Sequence, residues 1–158
     1  MFTETLHQIL PGLFISDKLA ASNPGLLKRS GITHIIVCAA EIKGKHNKEF
    51  TTLHLNLEDN KTCELEKIMN PCVNFIKKAK RLKGNTLLYD NDGKSRSVSI
   101  AIGYMIEVHG YKYYSALNHI KRFHSVAAPS KNFVDQLMAI EAKEKKLAAE
   151  EACNCAIF

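Results

Sequence analysis

The sequence predicts an α/β fold in which a central, mostly parallel sheet is flanked by helices. Two observations lead to this prediction. Short apolar segments alternate with segments of helical spacing in the first half of the chain, and the second half is a series of helical patterns. The run ITHIIVC at residues 32–38 is also rich in β-branched residues and almost continuously apolar, as expected for a strand covered on both faces.

The elements of the first half follow from turn, capping and alternation signals. In chain order they are a strand at Leu13–Ser16 after the Pro11-Gly12 turn, a short helix that begins at Asn23-Pro24 and ends near Ser30-Gly31, a strand at Ile32–Cys38, a polar loop at Lys43–Lys48 and a strand at Phe50–Leu57.

The second half contains most of the helices. The predictions are a helix at Glu64–Leu82 that Pro71 kinks or restarts and Gly84 ends, a strand at Asn85–Asp90, a helix from Ser97 through Val108 that Gly110 closes, and helices at Tyr113–Phe123 and Lys131–Glu150.

Composition and charge limit the classes of function. The 158 residues are enough for one domain, and five scattered cysteines lack the paired spacing of a zinc site. We expect free thiols in a reducing, cytoplasmic compartment, a monomer, and no metal or other cofactor. No apolar run approaches the ~18 residues that span a bilayer, and the N-terminus lacks the features of a secretory signal.

A basic run accounts for much of the net charge of +6. It comprises Lys77, Lys78, Lys80, Arg81 and Lys83, at the predicted end of a helix. One interpretation is a solvated helix end whose cations favour the C-terminal dipole. The other is a patch for acidic partners or an anionic membrane. Nucleic acid is not an expected partner, because no aromatic residues are interleaved with the charges.

The stretch from Leu87 to Val98 carries the chemistry. An apolar strand runs into a short polar loop that contains Gly93 and then into a helix. Such a turn directs backbone N–H groups and a helix N-terminus at one point, which suits an anion. Arg96 would lie in the first helical turn, where a guanidinium can bind phosphate bidentately. The other loop residues are Asn91, Asp92, Lys94 and Ser95.

Two further phosphate or metal patterns compete for this loop. Asp90 and Asp92 fit the Asp-x-Asp-Gly pattern of aspartyl-phosphate hydrolases, in which the first aspartate is a nucleophile assisted by Mg²⁺. That chemistry needs acidic metal ligands downstream, and Asp135 is the only later aspartate. A calcium loop of the EF-hand type is excluded, since alignment on Gly93 places Leu88 and Ser99 at positions for acidic ligands.

The third pattern is that of a cysteine phosphatase. The loop resembles the His-Cys-x-x-Gly-x-Ser-Arg-Ser signature of dual-specificity phosphatases, in the protein tyrosine phosphatase superfamily. Gly93, Ser95, Arg96 and Ser97 match it, while Tyr89 and Asp90 stand at the histidine and cysteine positions. The resemblance covers roughly residues 8–142, and the matching segments outside the loop are Gly12–Ser16, Asn23–Leu27, Gly31–Ile35, Leu55–Asp59, Phe75-Ile76, Ala116, Pro129, Phe133, Gln136-Leu137 and Glu141.

The resemblance implies both a mechanism and its loss. In this family a cysteine thiolate attacks phosphorus, loop N–H groups and the arginine stabilise the equatorial oxygens, and an aspartate protonates the leaving group. By resemblance that aspartate is Asp59, and Ser95 is the serine that assists the second step. The chain keeps Asp59, Ser95 and Arg96 but has Asp90 at the nucleophile position. Loss of a nucleophile costs about 10⁶ in kcat in other covalent enzymes.

These departures predict a pseudophosphatase that acts as a regulatory module and binds a protein partner, phosphorylated or not. It would resemble the phosphoserine/threonine/tyrosine-interacting proteins. Our structural hypothesis is that the carboxylate of Asp90 occupies the anion cradle as a built-in phosphate mimic, paired with Arg96. The alternative is an active phosphatase whose nucleophile position is altered or engineered. Asp59 stands at the general-acid position, and the alternative is that it is only a surface acid of a loop, a relic of the missing chemistry.

The C-terminal residues predict a lipid anchor. Cys155-Ala156-Ile157-Phe158 fits the C-a-a-X prenylation box, and the final phenylalanine favours a geranylgeranyl group. One lipid chain anchors weakly, so a palmitoyl group on Cys153 or the basic run at 77–83 would supply a second signal. A chance ending is the alternative. We therefore divide the chain into a domain at residues 1–147 and a linker-like tail at 148–158 that attaches it to a membrane surface.

Overall fold

The computed structural model describes residues 4–44, 46 and 48–156. Within these residues five strands form one sheet in the order β1-β2-β5-β3-β4. The strands are β1 (His7–Leu10), β2 (Leu13–Ser16), β3 (Ile32–Val37), β4 (Thr51–His54) and β5 (Asn85–Tyr89). The pairs β2–β5, β5–β3 and β3–β4 are parallel, and only β1 is antiparallel to its neighbour. The α/β architecture with a mostly parallel sheet is as predicted.

Helices cover both faces of the sheet. They are α1 (Lys18–Ala21), α2 (Pro24–Arg29), α3 (Leu65–Arg81), α4 (Arg96–His109), α5 (Tyr113–Phe123) and α6 (Lys131–Cys155). The larger core lies between the sheet and α3 to α6 and is centred on the almost fully buried α4. The smaller core lies on the other face, where Leu27 of α2 packs with Ile35, Val37 and Phe50.

Three loops meet at one edge of the sheet, and this edge positions the site. Because β2, β3 and β5 are parallel, the residues that follow Ser16, Val37 and Tyr89 emerge side by side. The helix α4 begins at the same edge and points its N-terminus towards these loops. Carboxyl ends of neighbouring parallel strands are where α/β proteins build ligand sites.

The structure differs from the sequence predictions at several boundaries. The elements β1 and α1 were not predicted, since each has only four residues and shows no helical or alternating pattern. The strand β4 ends at His54 rather than Leu57. Pro71 lies inside a continuous α3. The left-handed residue that follows this helix is Lys83 (φ 56°) rather than Gly84.

Gly84 takes part in the end of α3 and also has a second role. A Cβ atom at this position would lie 2.0 Å from the Oγ1 of Thr33, so the absence of a side chain lets the chain pass close to β3. Lys83 adopts the left-handed conformation, and the helix end is closed by the N–H of Lys83 donating to the carbonyl of Lys80 and the N–H of Gly84 donating to the carbonyl of Ala79, both at 2.9 Å.

The final helix is longer than predicted. α6 continues through Cys155, so the part of the tail that the structure describes, residues 148–156, is helical up to Cys155 and was wrongly predicted to be linker-like. Residues 148–156 are exposed, including the side chains of Cys153 and Cys155. Ile157 and Phe158 of the predicted prenylation box lie outside the described residues. Within the described residues, no helix combines the length and apolar character needed to cross a membrane.

Candidate phosphate-loop site

The loop between β5 and α4 is wrapped around the carboxylate of Asp90. This side chain is 1% exposed. Its Oδ1 accepts hydrogen bonds from the backbone N–H of Asp92 at 3.1 Å and of Gly93 at 2.5 Å, and its Oδ2 accepts one from the N–H of Ser97 at 2.7 Å. The backbone donors that the sequence predicted for an anion are thus directed at a side chain of the loop itself.

Burial and hydrogen bonding act on this carboxyl in opposite directions. Burial raises the pKa of Asp90 above its ordinary value of 3.8, and the charge of Asp92 acts in the same direction. The N–H groups of Ser97 and Gly93 lower the pKa because they stabilise the ionised form. The net change in the pKa is upward, so removal from water outweighs the backbone donors at this position.

Gly93 allows the loop to make its turn. Its φ is +69°, and a Cβ atom here would lie 2.9 Å from the carbonyl oxygen of Ser16. Its own carbonyl accepts a hydrogen bond of 2.5 Å from the Nε2 of His124, which is 5% exposed. Burial lowers the pKa of His124, consistent with a neutral ring that donates through Nε2. The sequence predictions did not identify His124.

The outer side of the loop is fixed by neighbouring segments. The carbonyl of Asn91 accepts from the N–H of Lys18 at 3.3 Å, and that of Lys94 accepts from the N–H of Ala128 at 2.8 Å. The carboxylate of Asp92 accepts from the N–H of Lys94 at 3.0 Å. While these carbonyls are bound on the outside, the N–H groups of Asp92 and Gly93 point inward to Asp90.

Arg96 binds Glu41 rather than Asp90. Its Nη1 donates to Oε2 of Glu41 at 2.7 Å and its Nη2 to Oε1 at 2.6 Å, which is the bidentate arrangement of a guanidinium and a carboxylate. Asn91 adds a third donor, Nδ2 to Oε1 at 2.5 Å. The hydrogen bond with Arg96 lowers the pKa of Glu41 and raises that of Arg96. The hypothesis that Asp90 is paired with Arg96 is therefore wrong, whereas its occupation of the loop N–H groups agrees with the geometry.

Asp59 is brought to the same site by two serines. Its Oδ2 accepts from the hydroxyl of Ser95 at 3.0 Å, and its Oδ1 accepts from the hydroxyl of Ser130 at 2.5 Å. The N–H of Ser130 in turn donates to the Ser95 hydroxyl oxygen at 2.9 Å. Asp59 is therefore held beside the phosphate loop as an acceptor for two hydroxyl groups.

Tyr89 points away from the loop. The side chain is 3% exposed and packs in the smaller core, and its hydroxyl lies 2.8 Å from the Nε2 of His46. Burial raises the pKa of Tyr89 to about 12, so it stays protonated. Tyr89 is part of the core on the side of the sheet opposite α4.

A cleft of about 490 Å³ opens in front of Arg96. Its charged lining residues are Glu41, Lys43, Glu58, Asp59 and Arg96, and its neutral ones are Ala40, Asn56 and Asn60. Carboxylates outnumber cations here. Among the described residues no group of three or more His, Cys, Asp or Glu side chains could hold a metal ion.

Two of the contacts that the sequence left unidentified had a detectable signal. Glu41 follows β3, at the edge where the strand ends place functional residues in α/β sheets. Ser130 is the N-cap of α6, next to the predicted Pro129-Ser130 boundary. His124 had no comparable signal, because it follows a helix and becomes buried only through tertiary packing.

Comparison with known proteins accounts for this combination of fold and loop. Residues 13–143 match the family model described as "Dual specificity phosphatase, catalytic domain". The chain is similar to "Dual specificity protein phosphatase 1" of Arabidopsis thaliana, with 36% identity over 82% of the chain and 66% of the relative. It is also similar to "Serine/threonine/tyrosine-interacting protein B" of Xenopus laevis, with 32% identity over 87% of the chain and 65% of the relative. The chain thus spans about two thirds of the length of these relatives.

Solved structures of dual-specificity phosphatase-like proteins superpose on this chain. The human tyrosine phosphatase-like serine/threonine/tyrosine-interacting protein superposes with a TM-score of 0.76 and 31% identity, covering 87% of this chain and 95% of that one. A mouse putative dual specificity phosphatase, solved with zinc tungstate, superposes with a TM-score of 0.86 and 26% identity, covering 93% and 92%. Both have the fold described above.

Proposed function

We propose that this chain, which belongs to the dual-specificity phosphatase family, is a pseudophosphatase that binds a protein partner instead of hydrolysing phosphate esters. One observation carries the proposal. The residue at the nucleophile position is Asp90, and its carboxylate accepts the N–H groups of Asp92, Gly93 and Ser97. These are the donors that would otherwise stabilise the oxygens of a phosphoryl group.

Electrostatics supports the same proposal. Two unit negative charges repel by ~1 to 4 kcal/mol at ~4 Å, depending on the effective dielectric, so an ionised Asp90 would repel a phosphate dianion by about twice that amount. The arginine that would attract the dianion is neutralised by Glu41 at 2.6 Å. A phosphate monoester entering the loop would have to displace both carboxylates, and Asp90 is attached to the loop it fills.

The names of two relatives support the proposal. The Xenopus and human proteins named as serine/threonine/tyrosine-interacting are similar to this chain across most of its length. Their names describe interaction, and we extend that role to this chain as a regulatory module for a protein partner. The plant relative named as a phosphatase supports the competing possibility, an active enzyme with altered chemistry.

A turnover assay separates the two functions. The purified native chain is incubated with para-nitrophenyl phosphate, with and without Mg²⁺, beside an Arg96→Met variant as the background control. We expect equal, background rates in all samples. Turnover by the native chain but not by Arg96→Met would refute the pseudophosphatase, and turnover that requires Mg²⁺ would revive Asp90 as a candidate nucleophile.

We also propose that Cys155 carries a prenyl group that holds the protein at a cytoplasmic membrane surface, with a palmitoyl group on Cys153 as the second signal. Both thiols are exposed at the end of α6. Cells expressing the chain are labelled with a prenyl analogue. Label that is lost in Cys155→Ser and kept in Cys153→Ser supports the proposal, and an unlabelled native chain refutes it.

A further inference from the structure

The anion site of this protein has an inner and an outer half with different occupants. The inner half is the set of loop N–H groups, and the buried carboxylate of Asp90 fills it. The outer half is the guanidinium of Arg96, and the carboxylate of Glu41 fills it. Side chains of the same chain therefore occupy both halves. The two side chains differ in how easily a ligand could displace them.

An external ligand can replace the carboxylate of Glu41 on the guanidinium of Arg96. The side chain of Glu41 is 48% exposed, whereas that of Arg96 is 15% exposed. Glu41 lies after β3 in a segment without regular secondary structure, so its side chain can leave the guanidinium without breaking a helix or a strand. Once released, its carboxylate is solvated by water, and the fork of Arg96 faces the cleft of about 490 Å³.

The hydrogen-bond donors of Arg96 and Asn91 determine which kind of ligand can bind there. Arg96 and Asn91 hold a carboxylate through three donors, at 2.7, 2.6 and 2.5 Å. A carboxylate from another protein presents the same two oxygens and the same single charge as Glu41. A phosphate monoester presents up to two charges, and its remaining oxygens would meet Asp90 where the loop N–H groups are already bound.

We infer that the cleft in front of Arg96 binds an acidic, unphosphorylated peptide segment, whose Asp or Glu side chain replaces Glu41 on the guanidinium. This inference rests on the proposed function, because it assumes a protein partner at the phosphatase site. It adds the class of the partner and a device that controls access. Glu41 is an intramolecular competitor, and the apparent affinity for the peptide is reduced by the fraction of molecules in which Arg96 is occupied.

Glu58 provides a matched control for Glu41. It lines the same cleft, but its carboxylate accepts from the Nδ2 of Asn60 at 2.6 Å. The variants Glu41→Gln and Glu58→Gln therefore remove the same charge from the same cleft, and only Glu41→Gln removes the bidentate ion pair with Arg96. If removal of negative charge alone raises the affinity for the acidic peptide, both variants will bind it more tightly to the same degree. If loss of the competing carboxylate raises the affinity, the larger increase will appear in Glu41→Gln.

The test is fluorescence anisotropy with a labelled peptide of Glu and Gly residues, its Gln-for-Glu counterpart, and a phosphotyrosine version. We expect Glu41→Gln to bind the Glu peptide roughly tenfold more tightly than the native chain. Glu58→Gln should gain much less affinity than Glu41→Gln, because it removes one carboxylate from a cleft in which carboxylates outnumber cations but leaves Arg96 paired with Glu41. Arg96→Met in the Glu41→Gln background should abolish binding. Glu41→Ala, which cannot form the pair either, should reproduce the gain, and circular dichroism establishes that each variant is folded.

Three results would overturn the inference. They are equal gains in Glu41→Gln and Glu58→Gln, tighter binding of the phosphotyrosine or the Gln peptide than of the Glu peptide, and no binding by folded Glu41→Gln and Glu41→Ala. None of these results bears on turnover of para-nitrophenyl phosphate by the native chain. Failure of this inference is therefore distinguishable from failure of the proposed function.

Discussion

The Oδ2 atom of Asp90 and the backbone N–H of Ser97 are joined by a hydrogen bond of 2.7 Å. This bond connects the end of β5 to the first turn of α4 across the loop. The carboxylate stabilises the loop through such bonds, but it is also removed from water, and burial is the larger influence on its pKa. Asp90 is therefore a structural residue of the loop whose ionisation the fold opposes.

The raised pKa of Asp90 predicts that the stability of the fold depends on pH. The pKa of Asp90 is raised in the folded state, so the folded protein holds the proton more tightly than the unfolded chain does. The stabilisation from this proton is fully present below pH 3.8, which is the pKa of an aspartate in the unfolded chain. It is lost as the pH rises through the higher pKa of Asp90 in the folded protein. In general, folded and unfolded pKa values that differ by one correspond to about 1.4 kcal/mol of stability.

Urea denaturation of the native chain and of Asp90→Asn, from pH 3.5 upward, would measure this effect. We expect the free energy of unfolding of the native chain, relative to that of the variant, to fall as pH rises above about 4. A difference that rises over this range, or does not change, would contradict the assignment of a raised pKa to Asp90.

His124 predicts a second pH dependence in the same loop. Burial lowers its pKa below 6.5, and the charges that face it are those of His7, Asp90 and Asp17. The folded state therefore resists protonation, and stability that is present above pH 6.5 is lost as pH falls through the folded pKa. In His124→Gln the side-chain amide can still donate to the carbonyl of Gly93 but cannot titrate.

The measurement is the free energy of unfolding between pH 7 and 5 for both proteins. We expect the native chain to lose up to about 1.4 kcal/mol per pH unit more than His124→Gln. Parallel curves for the two proteins would mean that His124 makes no contribution to the loss. The loss would then belong to the other histidines whose pKa burial lowers, which are His34, His46 and His109.

Gly93 predicts a backbone effect. An alanine at this position would have to adopt φ +69° and place its Cβ 2.9 Å from the carbonyl oxygen of Ser16. We expect Gly93→Ala to lower the free energy of unfolding by about 2 kcal/mol or more. Gly44→Ala is the matched control, because no atom of the described residues lies within 4 Å of a Cβ there. Equal effects of the two substitutions in urea denaturation would show that the loop relaxes around the new side chain.

The elements around this loop could be predicted from the sequence because their signals are local. The apolar strand before Asp90, the glycine at position 93 and the helix that Gly110 closes all lie within one short segment. The family resemblance extended the prediction to Asp59, which the structure brings to Ser95 at 3.0 Å. Local pattern and family signature together led to the correct sheet and the correct position of the loop.

The partner of Arg96 could not be predicted in this way. Glu41 lies 55 positions earlier in the chain, and it reaches Arg96 because the parallel pairing of β3 and β5 brings the ends of these strands together. Asp90 was the closer acid in sequence, but its carboxylate is directed at the loop N–H groups. The choice between two acids for one arginine depended on the direction of the side chains, which no sequence pattern encodes.

The last prediction is that catalysis can be restored by reversion. A cysteine in place of Asp90 would put its sulfur near the N–H groups of Asp92, Gly93 and Ser97, and donors of this kind lower a thiol pKa and create the nucleophilic thiolate. The double variant Tyr89→His with Asp90→Cys also restores the histidine of the family signature, and Asp59, Ser95 and Arg96 remain in place. We expect measurable hydrolysis of para-nitrophenyl phosphate, with background rates for Tyr89→His alone and for the double variant with Arg96→Met.

Adding Glu41→Gln to the double variant should raise kcat/KM further, because the guanidinium of Arg96 no longer forms an ion pair and can bind the substrate. A folded but inert double variant, unchanged by Glu41→Gln, would mean that the site has lost more than its nucleophile.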